Sequence, residues 1–388
     1  MASTTTRPRT DKAAPHRLSN DLSNETLMQW LYDMQLIREF ELRTAQAYQQ
    51  AKIGGFCHIY IGQEASAVGT LACIHHDDPV ILAYRDHGHA LARGMDPKTC
   101  MAEMFGKAAG CAKGKGGSMH MFDKANHLYG GHGIVAAQTP LAAGLAFASK
   151  YEREVLTQAV DGGKAKKKIC LCYLGDGALN QGAFHESLNL AQVLSLPVIY
   201  IVENNGYSMG TSIDRGTTMA HDLSRKAAAY GMEYAQIDGM DILNIYDRFK
   251  PLADDCRKQQ RPAFVNLITY RYHGHSMSDP QKYRTKDELN QWKDRDSIAT
   301  LAAHLIGPTE PPAQAGGPPT NSRACLTQAQ WKQMQKDIRT TVREAVKFAE
   351  QAPEPDLETE LYSDVYQNPL PNLSPTRDYT HGGENPLQ

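Results

Sequence analysis

The spacing of apolar and polar positions changes character along this chain of 388 residues. From Asn24, which can act as an N-cap, Leu27, Leu31, Met34, Ile37 and Leu42 recur at helical spacing, which predicts one long helix or two shorter ones. From Phe56 to Met277 short apolar runs, Val80–Ala83, Ile169–Leu174, Val198–Val202 and Phe264–Tyr270, alternate with amphipathic stretches. That rhythm is the one βαβ units write, and it predicts an α/β fold with a mostly parallel sheet and helices on both faces. Between two of the runs, Thr139-Pro140 reads as an N-cap followed by proline at the first helical position. It opens an apolar helix to Tyr151, in which Gly144 and its neighbouring alanines imply close packing.

Punctuation divides the remainder. Residues 152–168 hold Asp161-Gly162-Gly163 and several lysines, the pattern of an exposed charged loop. From Gly307 the chain carries Pro308, Pro311, Pro312, Pro318 and Pro319, which can continue neither helix nor strand and predict a surface linker. Thr327-x-x-Gln330 is a capping-box pattern that opens a terminal helix with the apolar stripe Met334, Ile338, Val342, Ala345 and Phe348. The expected organisation is a disordered arm over 1–23, an α/β domain over 24–306, a Pro/Gly-rich linker over 307–325, and a C-terminal helix and tail over 326–388. Helical extensions thus flank the sheet domain at both ends.

Composition narrows the classes. Hydrophobic residues make up 41% and charged residues 22%, which fits a folded, soluble chain and excludes disordered or collagen-like ones. A net charge of −2 gives no broad attraction to nucleic acid or to an anionic membrane. No apolar stretch reaches the roughly 20 residues a membrane helix needs. The eight cysteines show no CxxC pair and suit reduced thiols, with Cys170 and Cys172 on one face of a buried strand. Arg7, Arg9, Lys12 and Arg17 stand near the start without a secretory core, which favours a cytoplasmic, bacterial-type location over a mitochondrial matrix.

The segment Ile169–Tyr207 carries the chemistry. A buried strand ends in Gly175-Asp176-Gly177, a helix striped by Phe184, Leu188, Ala191 and Leu194 follows, and a second strand ends in Glu203-Asn204-Asn205. A right-handed crossover puts both strand ends on one edge, so Asp176 and Asn205 are expected to share a crevice. A carboxylate and an amide oxygen there suit Mg²⁺, which completes its shell with water and phosphate oxygens. Glycines beside Asp176 permit close approach to a phosphate, and the following helix offers its N-terminal N–H groups. A Mg²⁺-diphosphate site is the result. Two other phosphate motifs fail, because Ala109 and Gly116 stand where a P-loop around Gly114-Lys115 needs glycine and Ser or Thr, and no strand-linked GxGxxG is present.

The GDG…NN pair matches the thiamine diphosphate fingerprint, and the chain resembles the alpha subunits of the thiamine diphosphate-dependent 2-oxoacid dehydrogenase family, those of the pyruvate dehydrogenase decarboxylating component in particular. The resemblance rests also on Gly55-Phe56-Cys57-His58, Gly62-Gln63-Glu64-Ala65, Tyr84-Arg85-Asp86-His87-Gly88, Gly110–Met121, Tyr129–Gln138 and Thr269–Pro280. It implies thiamine diphosphate and Mg²⁺ as cofactors in a thiamine diphosphate-binding fold. Asp176, Asn205 and the backbone carbonyl of Tyr207 would hold the metal; Tyr84 and Arg85 would contact the diphosphate; Gly133, Val135, Gly177 and Ala178 would line the cofactor. His58 and His275 would handle protons during decarboxylation and acyl transfer to a lipoyl group, with His275 also against the cofactor. His273 and His275 could form a zinc pair on spacing alone, but no further ligands accompany them.

The resemblance further implies a polar lid over Tyr272–Arg284. Ser276 matches a serine phosphorylated in mitochondrial relatives, while Gln281-Lys282-Tyr283 replaces the second such serine and puts kinase control in doubt. The glutamate that activates the cofactor comes from the beta chain in that family, so half an active site is expected, in an α₂β₂ assembly docked on a lipoyl-bearing acyltransferase core. Branched-chain 2-oxoacid and acetoin dehydrogenases share the metal fingerprint and remain alternatives for the substrate. A non-catalytic phosphate-binding subunit is the alternative from another class.

Overall fold

The computed structural model describes residues 17–156, 166–306, 323–361 and 363–364. Six strands, β1 (Val80–Ala83), β2 (Leu128–His132), β3 (Cys170–Gly175), β4 (Val198–Asn204), β7 (Glu233–Asp238) and β8 (Ala263–Ile268), form one sheet, with β5 (Tyr207–Ser208) and β6 (Thr211–Ser212) as a separate hairpin. Every pairing in the sheet is parallel, in the order β2-β1-β3-β4-β8-β7. All four expected runs became strands. Two strands were invisible to pattern: β2 reads LYGGH, with two glycines, and β7 is an exposed edge reading EYAQID, so neither writes an apolar run.

The period-2 alternation sorts the central strands between two cores. Leu171, Tyr173, Ile199, Ile201, Val265 and Leu267 face one side, where they meet α1 (Asn24–Gln49), α2 (Glu64–Leu71), α4 (Pro97–Met104) and α7 (Ile242–Gln259). Cys170, Cys172, Leu174, Val198, Tyr200 and Val202 face the other, beneath α5 (Gln138–Tyr151) and α6 (Gly182–Val193). Cys170 and Cys172 therefore share a face, and all eight cysteines are free thiols. Short α3 (His87–Ala92) follows β1 directly.

Several local expectations shift. The cap of α1 is Ser23, whose Oγ accepts from Thr26 N at 3.2 Å, and Asn24 is already helical; Leu42 lies on the exposed side. Helix α5 begins at Gln138, because Thr139 Oγ1 donates to the Ala136 carbonyl at 2.7 Å inside the first turn instead of capping it. Gly144 faces outward, with nothing within 4 Å of where a Cβ would stand, so no close packing inside this chain explains it. Leu194 is the exposed C-cap of α6 and not part of its buried stripe.

The terminal helix α8 (Gln328–Gln351) forms with the full capping box and packs on α1 and α4. Ile338, Val342, Ala345 and Ala349 are its buried face, and Phe348 is exposed, so the stripe turns one residue from the expected one. Near the start, Leu18–Asp21 forms a 3-10 turn docked through Ser19 on Asp247, so residues from Leu18 belong to the fold and not to an arm. Residues 1–16 of that arm, most of the 307–325 linker, the centre of the 152–168 excursion and the end of the tail lie outside the described residues.

Candidate active site

The strand order fixes where a ligand can enter. The chain steps from β1 outward to β2 and then back across to β3, so the topological switch lies between β1 and β3, and their carboxyl ends open a crevice. A cleft of about 1100 Å³ occupies that place. Every residue singled out from sequence, His58, Tyr84, Arg85, Gly133, Val135, Asp176, Gly177, Ala178, Asn205, Tyr207 and His275, lines it.

At one edge Asp176 follows β3 directly and is only 3% exposed. Its Oδ1 accepts from Gly177 N at 2.9 Å, while Oδ2 has no partner. Burial pushes its carboxyl up to about 6, although the Gly177 amide and the Arg271 charge pull the other way. An unpartnered, desolvated carboxylate oxygen is costly unless a cation or donor arrives. Asn205, beyond the end of β4, gives its Nδ2 to Gln63 Oε1 at 3.3 Å, which leaves its oxygen on the side of the Tyr207 amide. The Asp176 carboxylate, the Asn205 amide oxygen and the Tyr207 carbonyl form a set of hard oxygen donors of the kind Mg²⁺ takes.

Of the two glycines beside Asp176 only Gly177 is sterically required, since a Cβ there would lie 2.1 Å from Ser208 Oγ, whereas one at Gly175 meets nothing. The structure also changes the phosphate argument. A 3-10 turn, Asp176–Asn180, intervenes, so the N-terminus of α6 does not adjoin Asp176 and the turn's own amides do.

The opposite wall carries aromatic and basic groups. The His58 and His275 rings lie 5.0 Å apart, centroid to centroid, with Tyr84 at 4.6 Å from the first and 5.5 Å from the second. Burial, then the charge of Arg85, pushes His58 down to about 2 and His275 to about 3, so both imidazoles are neutral at physiological pH. Arg85 does more than present charge: Nη1 donates to the Ile59 carbonyl at 2.6 Å and Nη2 to the His275 carbonyl at 2.7 Å. It thereby clamps together the two segments that carry the histidines.

Arg271, three residues past β8, escaped sequence reasoning although it lies in the Thr269–Pro280 segment. It is almost fully buried, donates to the Met209 carbonyl at 2.5 Å and to Tyr283 Oη at 3.0 Å, and contacts His275 Nδ1 at 3.3 Å; burial, then Arg85, lowers it to about 10. Position at a strand's carboxyl end was the signal that could have found it. Of the nine buried side-chain polar atoms without a hydrogen-bond partner among the described residues, four, His58 Nδ1, Gln138 Oε1, Asp176 Oδ2 and Arg271 Nε, belong to residues lining this cleft. Native interiors rarely leave such atoms unmatched, and their gathering in one place fits a polar ligand.

The Tyr272–Arg284 loop folds on Asp279, whose carboxylate accepts from His275 N at 2.6 Å, Gln281 N at 2.8 Å and Tyr283 Oη at 2.6 Å. Ser276 and Ser278, hydroxyls 3.0 Å apart, face the cleft. No metal-capable cluster among the described residues includes His273 or His275. The one cluster present, His75, Asp77 and Asp78, is spent, because the Asp78 carboxylate already accepts from Arg257, Ile169 N and His75 N.

The comparisons agree with this geometry. The chain is 46% identical over 274 residues to the pyruvate dehydrogenase E1 component subunit alpha of Rickettsia prowazekii, covering 71% of this chain and 80% of the relative. The like-named subunit of Rhizobium meliloti is 43% identical over 323 residues, 83% and 85% of the two chains, and the chloroplastic alpha-3 subunit of Oryza sativa is 40% identical over 297 residues, 76% and 69%. The model of the dehydrogenase E1 component family, whose members depend on thiamine diphosphate, matches residues 32–358, and with these relatives it shows that this chain belongs to that family.

Proposed function

We propose that this chain is the alpha half of an enzyme that decarboxylates pyruvate oxidatively and passes the acetyl group to a lipoyl sulfur, with thiamine diphosphate held through Mg²⁺. The observation that carries the reading is the buried Asp176 with its unpartnered Oδ2, set at the topological switch beside Asn205. Asp176, Asn205 and the Tyr207 carbonyl would hold the metal; Tyr84 and Arg85 would meet the diphosphate; Gly133, Val135, Gly177 and Ala178 would border the cofactor. When bound, thiamine diphosphate supplies the nucleophilic carbon and electron sink that loss of CO₂ requires.

The chain's own residues supply the rest. His58 and His275, held neutral, can each accept a proton or donate one from a ring nitrogen, and His58 Nδ1 is free to do so. Arg85 holds their spacing through its two carbonyl bonds. The lid built on Asp279 limits water at the substrate side. Each of these groups acts on geometry already present in the chain.

The partner follows from what is uncovered. Ile134 is 76% exposed at the rim, and Leu141, Phe147 and Tyr151 on α5 and Leu190 and Val193 on the neighbouring α6 are exposed as well. Large apolar side chains left uncovered at a cofactor cleft and on the adjoining helix pair suit a beta subunit that seals the cleft and completes it with a carboxylate. An α₂β₂ assembly, docked on a lipoyl-bearing acyltransferase core, accommodates that arrangement. Free thiols throughout, and no described helix long and apolar enough to cross a membrane, support a cytoplasmic setting.

The test is CO₂ release from pyruvate and from 3-methyl-2-oxobutanoate, by this chain alone and mixed with its beta subunit, with thiamine diphosphate and Mg²⁺. Release from pyruvate by the mixture only is the expected result. Preference for the branched acid moves the substrate assignment, and turnover by the lone chain overturns the shared site.

A further inference from the structure

Behind the histidine wall lies a chain of buried polar groups that the proposed reaction does not use. Glu41 on α1 and His87 on α3 are fully buried, and Ser118 is nearly so. Glu41 Oε1 accepts from Tyr60 N at 2.7 Å, and both its oxygens lie 3.0 Å from His87 Nδ1. His87 Nε2 lies 2.8 Å from the Ser118 carbonyl oxygen and 2.9 Å from Ser118 Oγ, and that hydroxyl accepts from His58 N at 3.4 Å. None of the three side chains lines the cleft.

The donors and acceptors fix the chemistry. A carboxylate on Nδ1 and a carbonyl oxygen on Nε2 are both acceptors, so His87 carries a proton on each nitrogen and is an imidazolium paired with Glu41. The Glu41 charge raises His87 to about 8 against its burial. The cation can then donate at both ends at once, which a neutral ring cannot. Its partners meet the chain at His58 and Tyr60, while Arg85 takes the carbonyl of Ile59 between them. Three consecutive residues are thus held through their backbones by side chains from three separate parts of the chain.

We infer that Glu41, His87 and Ser118 form a buried positioning relay that fixes the backbone of His58, and with it the place of its imidazole beside Tyr84 and His275. Asp86 ties the same loop after Ser118 by accepting from Met121 N at 2.8 Å, and Glu103 Oε1 ties it before Ser118 by accepting from Gly116 N at 2.7 Å, so Ser118 sits in a segment anchored at both ends. The inference rests on the role proposed for His58, and its test separates the two.

The most informative variant is Ser118→Ala, which deletes the hydroxyl that holds His58 N and leaves the bond from His87 to the residue 118 carbonyl. It is compared with His58→Ala in the assembled alpha-beta enzyme. The expected result is a fall in kcat of roughly ten- to a hundredfold, as misplacement of a reacting group costs. Thiamine diphosphate affinity and pyruvate KM stay unchanged. Carbethoxylation of His58 in the cofactor-free enzyme, mapped by mass spectrometry, rises several-fold because the ring leaves its protected place. Glu41→Gln, which keeps an acceptor, retains more activity than Glu41→Ala. Wild-type labelling of His58 in Ser118→Ala overturns the relay whatever the activities are. Wild-type activity in His58→Ala instead overturns the role of His58, and the labelling still decides the relay.

Discussion

Two sides of one cleft are built on opposite principles. The histidine wall has its backbone held: Arg85 spends two nitrogens on the carbonyls of Ile59 and His275, and Glu41 and Ser118 hold the amides of Tyr60 and His58, so that only side-chain atoms such as His58 Nδ1 and Arg271 Nε stay without a partner there. The Asp176 edge is left open, with a carboxylate oxygen that has no partner and an Asn205 amide tethered only by Gln63 and the Tyr207 N–H. Satisfied polar networks rigidify their members, whereas an unmatched buried carboxylate is a cost that a bound cation relieves. The difference separates what the chain fixes by folding from what it reserves for a ligand.

The comparison breaks most sharply at the wall. His58→Ala should lower kcat by roughly 10²- to 10⁴-fold, the usual worth of a positioned proton-transfer group, with cofactor affinity unchanged; steady-state kinetics beside a cofactor titration check it. A matching loss of affinity would mean that wall and edge are one unit.

The next effect belongs to pH. Burial raises the Asp176 carboxyl from 3.8 to about 6, so the cofactor-free fold binds its proton more tightly than the unfolded chain does. Stability from this group is therefore present at low pH and is lost as pH rises from 3.8 through about 6. The metal requires the ionised form, so Mg²⁺-dependent cofactor affinity should fall about tenfold per unit below that pH. His58 and His275 remain neutral in the folded enzyme across the same window and add no slope to that affinity; to stability they add the opposite slope, because their unfolded imidazoles take up protons below 6.5 and the folded ones do not. Titrations between pH 5 and 8 that showed no fall below 6 would remove Asp176 from the metal site.

A smaller effect sharpens the picture of a rigid wall. A Cβ on Gly131 would come 1.8 Å from Asp86 Oδ2 and 2.6 Å from the Met119 carbonyl. Gly131→Ala should cost about 1–3 kcal/mol of stability, the range for overpacking a filled interior, read as a lowered thermal midpoint. An unchanged midpoint would show that the wall yields.

Much of this was legible in the sequence because it is local. The central strands betray themselves by apolar runs, and Asp176 and Asn205 by their places at the ends of two such runs joined by a single crossover. Edge strand β7 and glycine-bearing β2 leave no such trace, since neither is buried along its whole length. Contacts between residues distant in the chain were also hidden, even where the residues themselves were singled out. Gln63 meets Asn205 from 142 positions away and Arg85 reaches His275 from 190 away, and no spacing rule encodes either contact. The outward Gly144 and exposed Leu194 misled because an exposed apolar position has the same sequence signature as a buried one.

The central claim is that the open edge awaits a metal-bound diphosphate. The direct measurement is calorimetric titration of thiamine diphosphate into the assembled enzyme, with Mg²⁺ or with chelator, for wild type and Asp176→Asn. The account predicts Mg²⁺-dependent binding in the wild type and a loss of at least about 100-fold in the variant. The cofactor-free variant should keep its thermal midpoint or gain, because a buried charge has been removed. Equal affinity in the two proteins, or wild-type binding indifferent to Mg²⁺, would contradict it.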